Sequence, residues 1–197
     1  QQDWPDLRVS ISGLERWSVF GGSGGQGWFR SSNLDLGYKY SRTVNGYTGT
    51  FFNPHTVTTF TPRWNITFPS GLAGSLNLNI NKDVQVSSGS RTEANRFNLG
   101  VQFRHSFRAE RLLARLHLYK PGSSPSVNLD VDLSYRKDTT RHLNPGATTA
   151  NAETGTTSLN FSSKFSYQIT RNLSGGLHLT FMRSKNIQQD LVTRTIG

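Results

Sequence analysis

The chain has 197 residues, 34% of them hydrophobic and 17% charged, and its 22 Lys and Arg outnumber 12 Asp and Glu for a formal charge of +10. Apolar usage far below the roughly 45–50% of ordinary soluble domains leaves little for a thick core, and Ser, Thr, Asn and Gly fill the difference, which excludes a charge-rich disordered chain. No apolar run approaches the roughly 18 residues of a spanning helix, and the absence of cysteine removes disulfides, thiolate metal sites and cysteine nucleophiles together.

Period-two alternation recurs along the chain and predicts strands with one residue set on each face. A partial strand near Leu7, Val9 and Ile11 comes first, then the glycine-rich GGSGGQG at 21–27. A phosphate-binding loop would feed a helix; a strand follows here, so the stretch reads as a connector. Leu34, Leu36, Tyr38 and Tyr40 share one face, then Phe60, Trp64, Ile66 and Phe68, then Leu72, Leu76, Leu78 and Ile80 with the phase running on through Val84 and Val86. Phe97 to Phe107, Val127 to Tyr135, Leu159 to Ile169 and Leu173 to Phe181 repeat the pattern, and a last partial strand begins near Leu191. The expectation is about nine strands, the first and last incomplete. Pro62 lacks a ladder donor, so its strand is expected to carry a bulge or to lie at an edge.

The connections alternate in length, as they do in up-and-down membrane barrels. Tight turns at Pro69-Ser70-Gly71 and Thr170-Arg171-Asn172 define one end, together with connectors 12–27 and 108–125, and this end is expected to be periplasmic. Loops 42–55, 87–91, 137–156 and 184–190 define the other, external end. The connector RAERLLARLHLYKPGSSP is longer than a turn and helical in its first part; its Arg108, Arg111, Arg115 and Lys120 are candidate contacts for periplasmic partners or lipid phosphates, or an ordinary solvated connector.

A soluble β-sandwich alternates too, but its solvated face is usually rich in Lys and Glu. The polar positions here are mainly Asn, Ser, Thr, Gln and Gly, as in a wet barrel interior. Aromatics fall into two girdles expected to face lipid: Trp28, Phe68, Phe107 and Tyr167 near the tight-turn ends, and Tyr40, Phe60, Phe97, Tyr135 and Phe181 near the loop ends. About ten residues separate the girdles, the span of a tilted membrane strand. The predicted fold is therefore all-β, a single antiparallel up-and-down transmembrane barrel or a segment of one over 1–197, with a soluble sandwich as the competing architecture.

Catalytic and cofactor chemistry find little support. His55, His105, His117, His142 and His178 show no metal-ligand spacing. His105 reads as an interfacial residue and His178 as a lumen hydrogen-bonder. Asp130 and Asp132 share the polar side of one strand and read as lumen carboxylates paired with Arg or Lys, ahead of a general acid and base. The Asn-x-Ser/Thr triplets at Asn65, Asn160 and Asn172 follow from the polar alternation itself. Basic residues are dispersed, without the compact arm or aromatic motif that nucleic acid would require. No enzyme activity, cofactor, metal, nucleic acid or small-molecule substrate is expected.

The opening DWPDLRVSISGLERW, with Asp3, Trp4, Pro5, Leu7 to Val9, Ser12, Gly13 and Leu14, resembles the P-x-W/L-R-V-x-Y-x-G-L motif near the C-terminal part of SprA/Sov-type outer-membrane proteins of gliding motility and type IX secretion. The closing FSSKFSYQITRNLSGGLHLTFMRSKNIQQDLVTRTIG is similar to that family's last strands, and the Leu112 to Pro121 connector to its basic periplasmic insert. The family's tyrosine in the first motif is Ile11 here. The resemblance implies a segment of a very wide barrel in the outer membrane of a Gram-negative bacterium, serving as a translocon for folded cargo, with lipid, lipopolysaccharide and other proteins as partners. The chain opens on Gln1 rather than Met and stops at Gly197 without a terminal aromatic strand, so a piece of a larger polypeptide is expected. A self-contained small barrel, acting as porin or anchor, and a soluble sandwich adhesin or carbohydrate-binding module are the alternatives.

Overall fold

The computed structural model describes residues 2–3, 6–17, 28–45, 53–87, 90–108, 126–144, 153–170, 173–188 and 192–197. They form one antiparallel sheet. Its strands are β1 (Gln2–Asp3), β2 (Leu7–Ser12), β3 (Ser31–Asn45), β4 (Asn53–Thr67), β5 (Ala73–Ser87), β6 (Ser90–Arg108), β7 (Ser126–Leu143), β8 (Thr154–Thr170), β9 (Leu173–Asn186) and β10 (Val192–Ile196). β1 and β2 lie end to end on the same edge of β3, so ten strands fill nine positions, and every later strand pairs with its sequence neighbour. The expected count, the up-and-down order and the short first and last strands are all present. The sheet is open: β10 pairs only with β9, and β1 and β2 pair only with β3.

A short 3-10 helix, Leu14–Arg16, leaves β2 through Gly13, whose φ of 80° suits glycine and whose N–H donates to the Ser32 carbonyl at 3.2 Å. At the β4–β5 turn Gly71, with φ 83°, donates to the Phe68 carbonyl at 3.0 Å, and Phe68 donates to the Leu72 carbonyl at 2.8 Å. Packing adds almost no interior. Leu14 and Val127 are the only buried hydrophobic side chains among the described residues, so backbone ladders hold this sheet rather than a sandwich core.

Two expectations need correction. The strands run 14 to 19 residues from β3 to β9, well past the apolar segments, and they shorten the expected loops. Ladders reach Asn45↔Asn53, Ser87↔Ser90 and Thr140↔Thr154, deep into ranges expected to be loop, because backbone pairing continues through Thr, Asn and Arg as readily as through Leu. Pro62 lies neither at an edge nor in a bulge. Its strand is flanked by β3 and β5, and the β4–β5 ladder lapses at residues 61 and 62 between Phe60↔Ile80 and Arg63↔Asn77, resuming in the same register. The missing N–H interrupts that ladder locally and leaves Leu36↔Pro62 intact on the other side.

Candidate pore wall and membrane belt

Cross-strand partners share a face, so the register sorts every strand residue onto one of two surfaces. One surface collects Leu36, Pro62, Leu78, Leu99, Tyr135 and Leu159 in a single row, and Leu34, Trp64, Leu76, Val101, Leu133, Phe161 and Phe181 in the next. These side chains are not covered. Leu177 is 57% exposed, Leu179 52% and Phe103 43%, and apart from Trp17, Trp28 and Met182 every exposed large hydrophobic residue lies on this face. So extensive an uncovered apolar surface marks a face built to meet something apolar.

The belt does not run along the rows. The row through Phe181 crosses Phe161, Leu133, Val101, Leu76 and Trp64 and reaches β3 at Leu34, six residues short of Tyr40, the belt's edge there. Among the loop-side aromatics Tyr40 comes first, Phe60 and Phe97 share the next row through Ile80, Tyr135 lies one row further down and Phe181 one row beyond that. Six residues cover about 20 Å along a strand, and the six strand-to-strand steps from β3 to β9 cover about 29 Å, so the belt crosses the rows at about 35°. A belt level with a membrane plane then tilts the strands by that angle, within the roughly 35–45° of transmembrane barrels. At the other edge Phe107, Val127, Tyr167 and Gly175 form one row. Tyr167 lies over Gly175, where a Cβ would overlap its ring. Phe29 meets Trp64 and Phe68 edge to face at 5.8 and 5.5 Å, and the Trp64 Nε1–H donates to Ser32 Oγ at 2.9 Å, so the indole's polar atom is satisfied within the apolar face. Trp28 precedes β3 and is 75% exposed.

The opposite face is concave and polar. Residues from β2 to β9, among them Arg8, Asp35, Arg63, Asn79, Asn98, Arg136, Asn160 and Met182, line one hollow of about 1150 Å³. Several of its polar and charged side chains are held along the wall. Arg104 Nε donates to Asp130 at 2.5 Å, Arg136 Nε to Asp138 at 2.6 Å and Arg63 Nε to the Asn77 side-chain oxygen at 2.8 Å. His55 contacts Asp83 at 2.8 Å, and His178 pairs with the Ser162 hydroxyl at 3.0 Å. Asp130 has the basic partner expected of it and His178 a hydrogen bond on this face, whereas Asp132 has no hydrogen bond or ion pair among the described residues; His105 lies on the apolar face stacked on Phe107 at 5.4 Å. Among the described residues no three His, Asp or Glu side chains come together as a metal site.

Of the basic connector residues, Arg108 ends β6 and is exposed, while Arg111, Arg115 and Lys120 lie outside the described residues, as do the 21–27 glycines, His117 and Asn172. Sequence reading missed the loop-end chemistry. Arg141 Nη2 and Nε donate to Glu153 Oε2 at 2.7 and 3.1 Å. Those bonds, with the positive charges of Arg141 and Lys137 and a bond from Thr139, hold the Glu153 carboxyl below the usual carboxylate range against the opposing effect of burial. It also missed the cations set two positions beyond the belt, although the spacings Tyr40-x-Arg42, Ile80-x-Lys82, Tyr135-x-Lys137 and Phe181-x-Arg183 are visible in the sequence.

Neither comparison with protein-family models nor comparison with curated proteins finds a match for this chain. No helix among the described residues is long and apolar enough to cross a membrane, which does not bear on crossing by strands.

Proposed function

We propose that this chain forms part of the wall of a transmembrane β-barrel in the outer membrane of a Gram-negative bacterium, within a translocon that passes protein cargo through a hydrated lumen. The observation that carries the membrane reading is the oblique apolar belt on the convex side of a sheet whose concave side is polar. Hydrocarbon satisfies the belt, ladders that lapse only at residues 61 and 62 and between Gln168 and Thr170 among the described residues leave few backbone groups unpaired inside it, and the wall of Asn, Ser and paired Arg keeps water on the other side. A soluble sandwich would need a second sheet over the belt, and the described residues supply none. The open sheet favours a wide barrel over a small closed one, since nine strand positions leave β10 unpaired with β1 and β2. The secretion role rests on the resemblance of the first and last segments to SprA/Sov-type translocons. On this reading the tight-turn end faces the periplasm, the longer loops face outward, and the partners are lipid, lipopolysaccharide and cargo.

The absence of native cysteine makes the test direct. Single variants Asn98→Cys on the concave face and Leu99→Cys on the belt are expressed in the source cells, and membranes are washed with alkaline carbonate. A water-soluble maleimide is expected to modify Asn98→Cys, and a bilayer-dissolved maleimide Leu99→Cys, in protein that stays in the outer membrane. Release by carbonate, or equal water-phase labelling of both positions, would overturn the membrane reading. Export of a reporter that continues when the chain is depleted would overturn the translocon.

A further inference from the structure

Immediately beyond its loop-side edge the apolar face changes chemistry. Two residues past the last belt residue stands an exposed cation in several strands: Arg42 past Tyr40, Lys82 past Ile80, Lys137 past Tyr135, Arg183 past Phe181. The acids at this end of the face, Glu93 and Glu153, are already held by Arg91 at 2.5 Å and Arg141 at 2.7 Å. Segments 46–52, 88–89 and 145–152 contain no acidic residue, and 189–191 contains Asp190 alone.

The last two strands concentrate this excess. Arg183 of β9 stands directly opposite Arg194 of β10, and Lys185 follows one row on. Like charges directly opposite one another destabilise a sheet, and among the described residues neither arginine has a hydrogen bond or an ion pair. An anion between two guanidinium groups removes that repulsion, and a phosphate matches their fork geometry. The adjoining row, Phe181 opposite Ile196, is apolar, with Leu179 below it. The complement of this surface is an anion joined to hydrocarbon.

We propose that Arg183 and Arg194 bind the phosphate of a phosphorylated lipid headgroup whose acyl chain lies over Phe181 and Ile196. This rests on the membrane reading above and specifies which lipid chemistry the barrel holds at its external rim. The test uses the full chain extracted from its own membrane in an uncharged maltoside detergent. Native mass spectrometry compares retention of lipid A carrying its phosphates with the same lipid after enzymatic dephosphorylation, and with inorganic phosphate alone. The variants are R183S/R194S, the conservative R183K/R194K, and K39S on the concave face. The phosphorylated lipid is expected to bind at least tenfold tighter than the dephosphorylated one. R183S/R194S should lose that preference, R183K/R194K should keep part of it and K39S all of it. Equal retention of the two lipids by the unaltered chain overturns the proposal even if a variant fails to fold. So does inorganic phosphate competing as well as the lipid, which would assign the site to a free anion. A chain retained in carbonate-washed membranes with no phosphate preference sinks this proposal alone, and a chain released by carbonate sinks both.

Discussion

On β7 the residues from Val127 to Tyr135 and those from Lys137 to Leu143 hang from the same unbroken ladder to β6, yet the two halves of this one face carry opposite chemistry. The first half shows Val127, Leu129, Val131, Leu133 and Tyr135; the second shows Lys137, Thr139 and Arg141 before ending on Leu143. Thr139 is 7% exposed while Leu133 is 40% exposed, the reverse of the order in a water-soluble sheet. Pairing of the backbone is therefore indifferent to where the chemistry of the face changes, and the side chains alone record it. The belt half has no cover among the described residues, whereas the loop-end half is held by its own hydrogen bonds and ion pairs.

An arginine placed inside the belt and one placed beyond it should separate the two chemistries most sharply. Val131→Arg, mid-belt on β7, is expected to destabilise the chain folded in lipid vesicles by about 2–4 kcal/mol, against about 0–1 kcal/mol for Thr58→Arg beyond the belt. Urea titration measures both, and equal losses would erase the distinction. Gly155→Ala probes how firmly the loop-end half is paired. A Cβ there would overlap the backbone carbonyl of Asp138, so a loss of about 1–3 kcal/mol is expected, and unchanged stability would mean that β7 and β8 separate before this point. Trp64→Phe keeps the belt apolar but removes the bond to Ser32, which is 6% exposed. It should cost about 1 kcal/mol in the same titration, and no loss would show that the indole N–H is as well satisfied elsewhere.

The smallest effect is pH-dependent and confined to the loop end. Because the Glu153 carboxyl is held low in the folded chain, its contribution is full above the unfolded value of about 4.3 and is lost as pH falls through the lower folded value. Amide exchange across the Arg141 and Thr154 region should accelerate as acid is added below that point, and Glu153→Gln should flatten the response. An unaltered acid profile in Glu153→Gln would show that the pair with Arg141 contributes nothing to holding the β7–β8 end together.

The faces were legible before the structure because period-two alternation fixes which side each residue takes once a strand is granted. Tyr40, Phe60, Phe97, Tyr135 and Phe181 could be named as one girdle from their positions within strands. The pairing of Asp130 with a basic residue of the polar face was legible in kind, although its partner Arg104 was not. Strand ends were misjudged because the reading stopped where apolar residues stop, as at Tyr135, while the ladder continues to Leu143. Pro62 was misjudged because a missing donor was equated with a strand defect, whereas here it removes pairing toward one neighbour only.

By itself the sequence determined the all-β class, the up-and-down order and the identity of the apolar and polar faces, since each is a property of one strand or one connection. Register between strands is not. It is set by the backbone ladders and turns acting together, and no single segment encodes it. Only the tertiary structure therefore decided that the belt runs obliquely across the rows, that Arg183 stands opposite Arg194, and that the polar face is the hollow one.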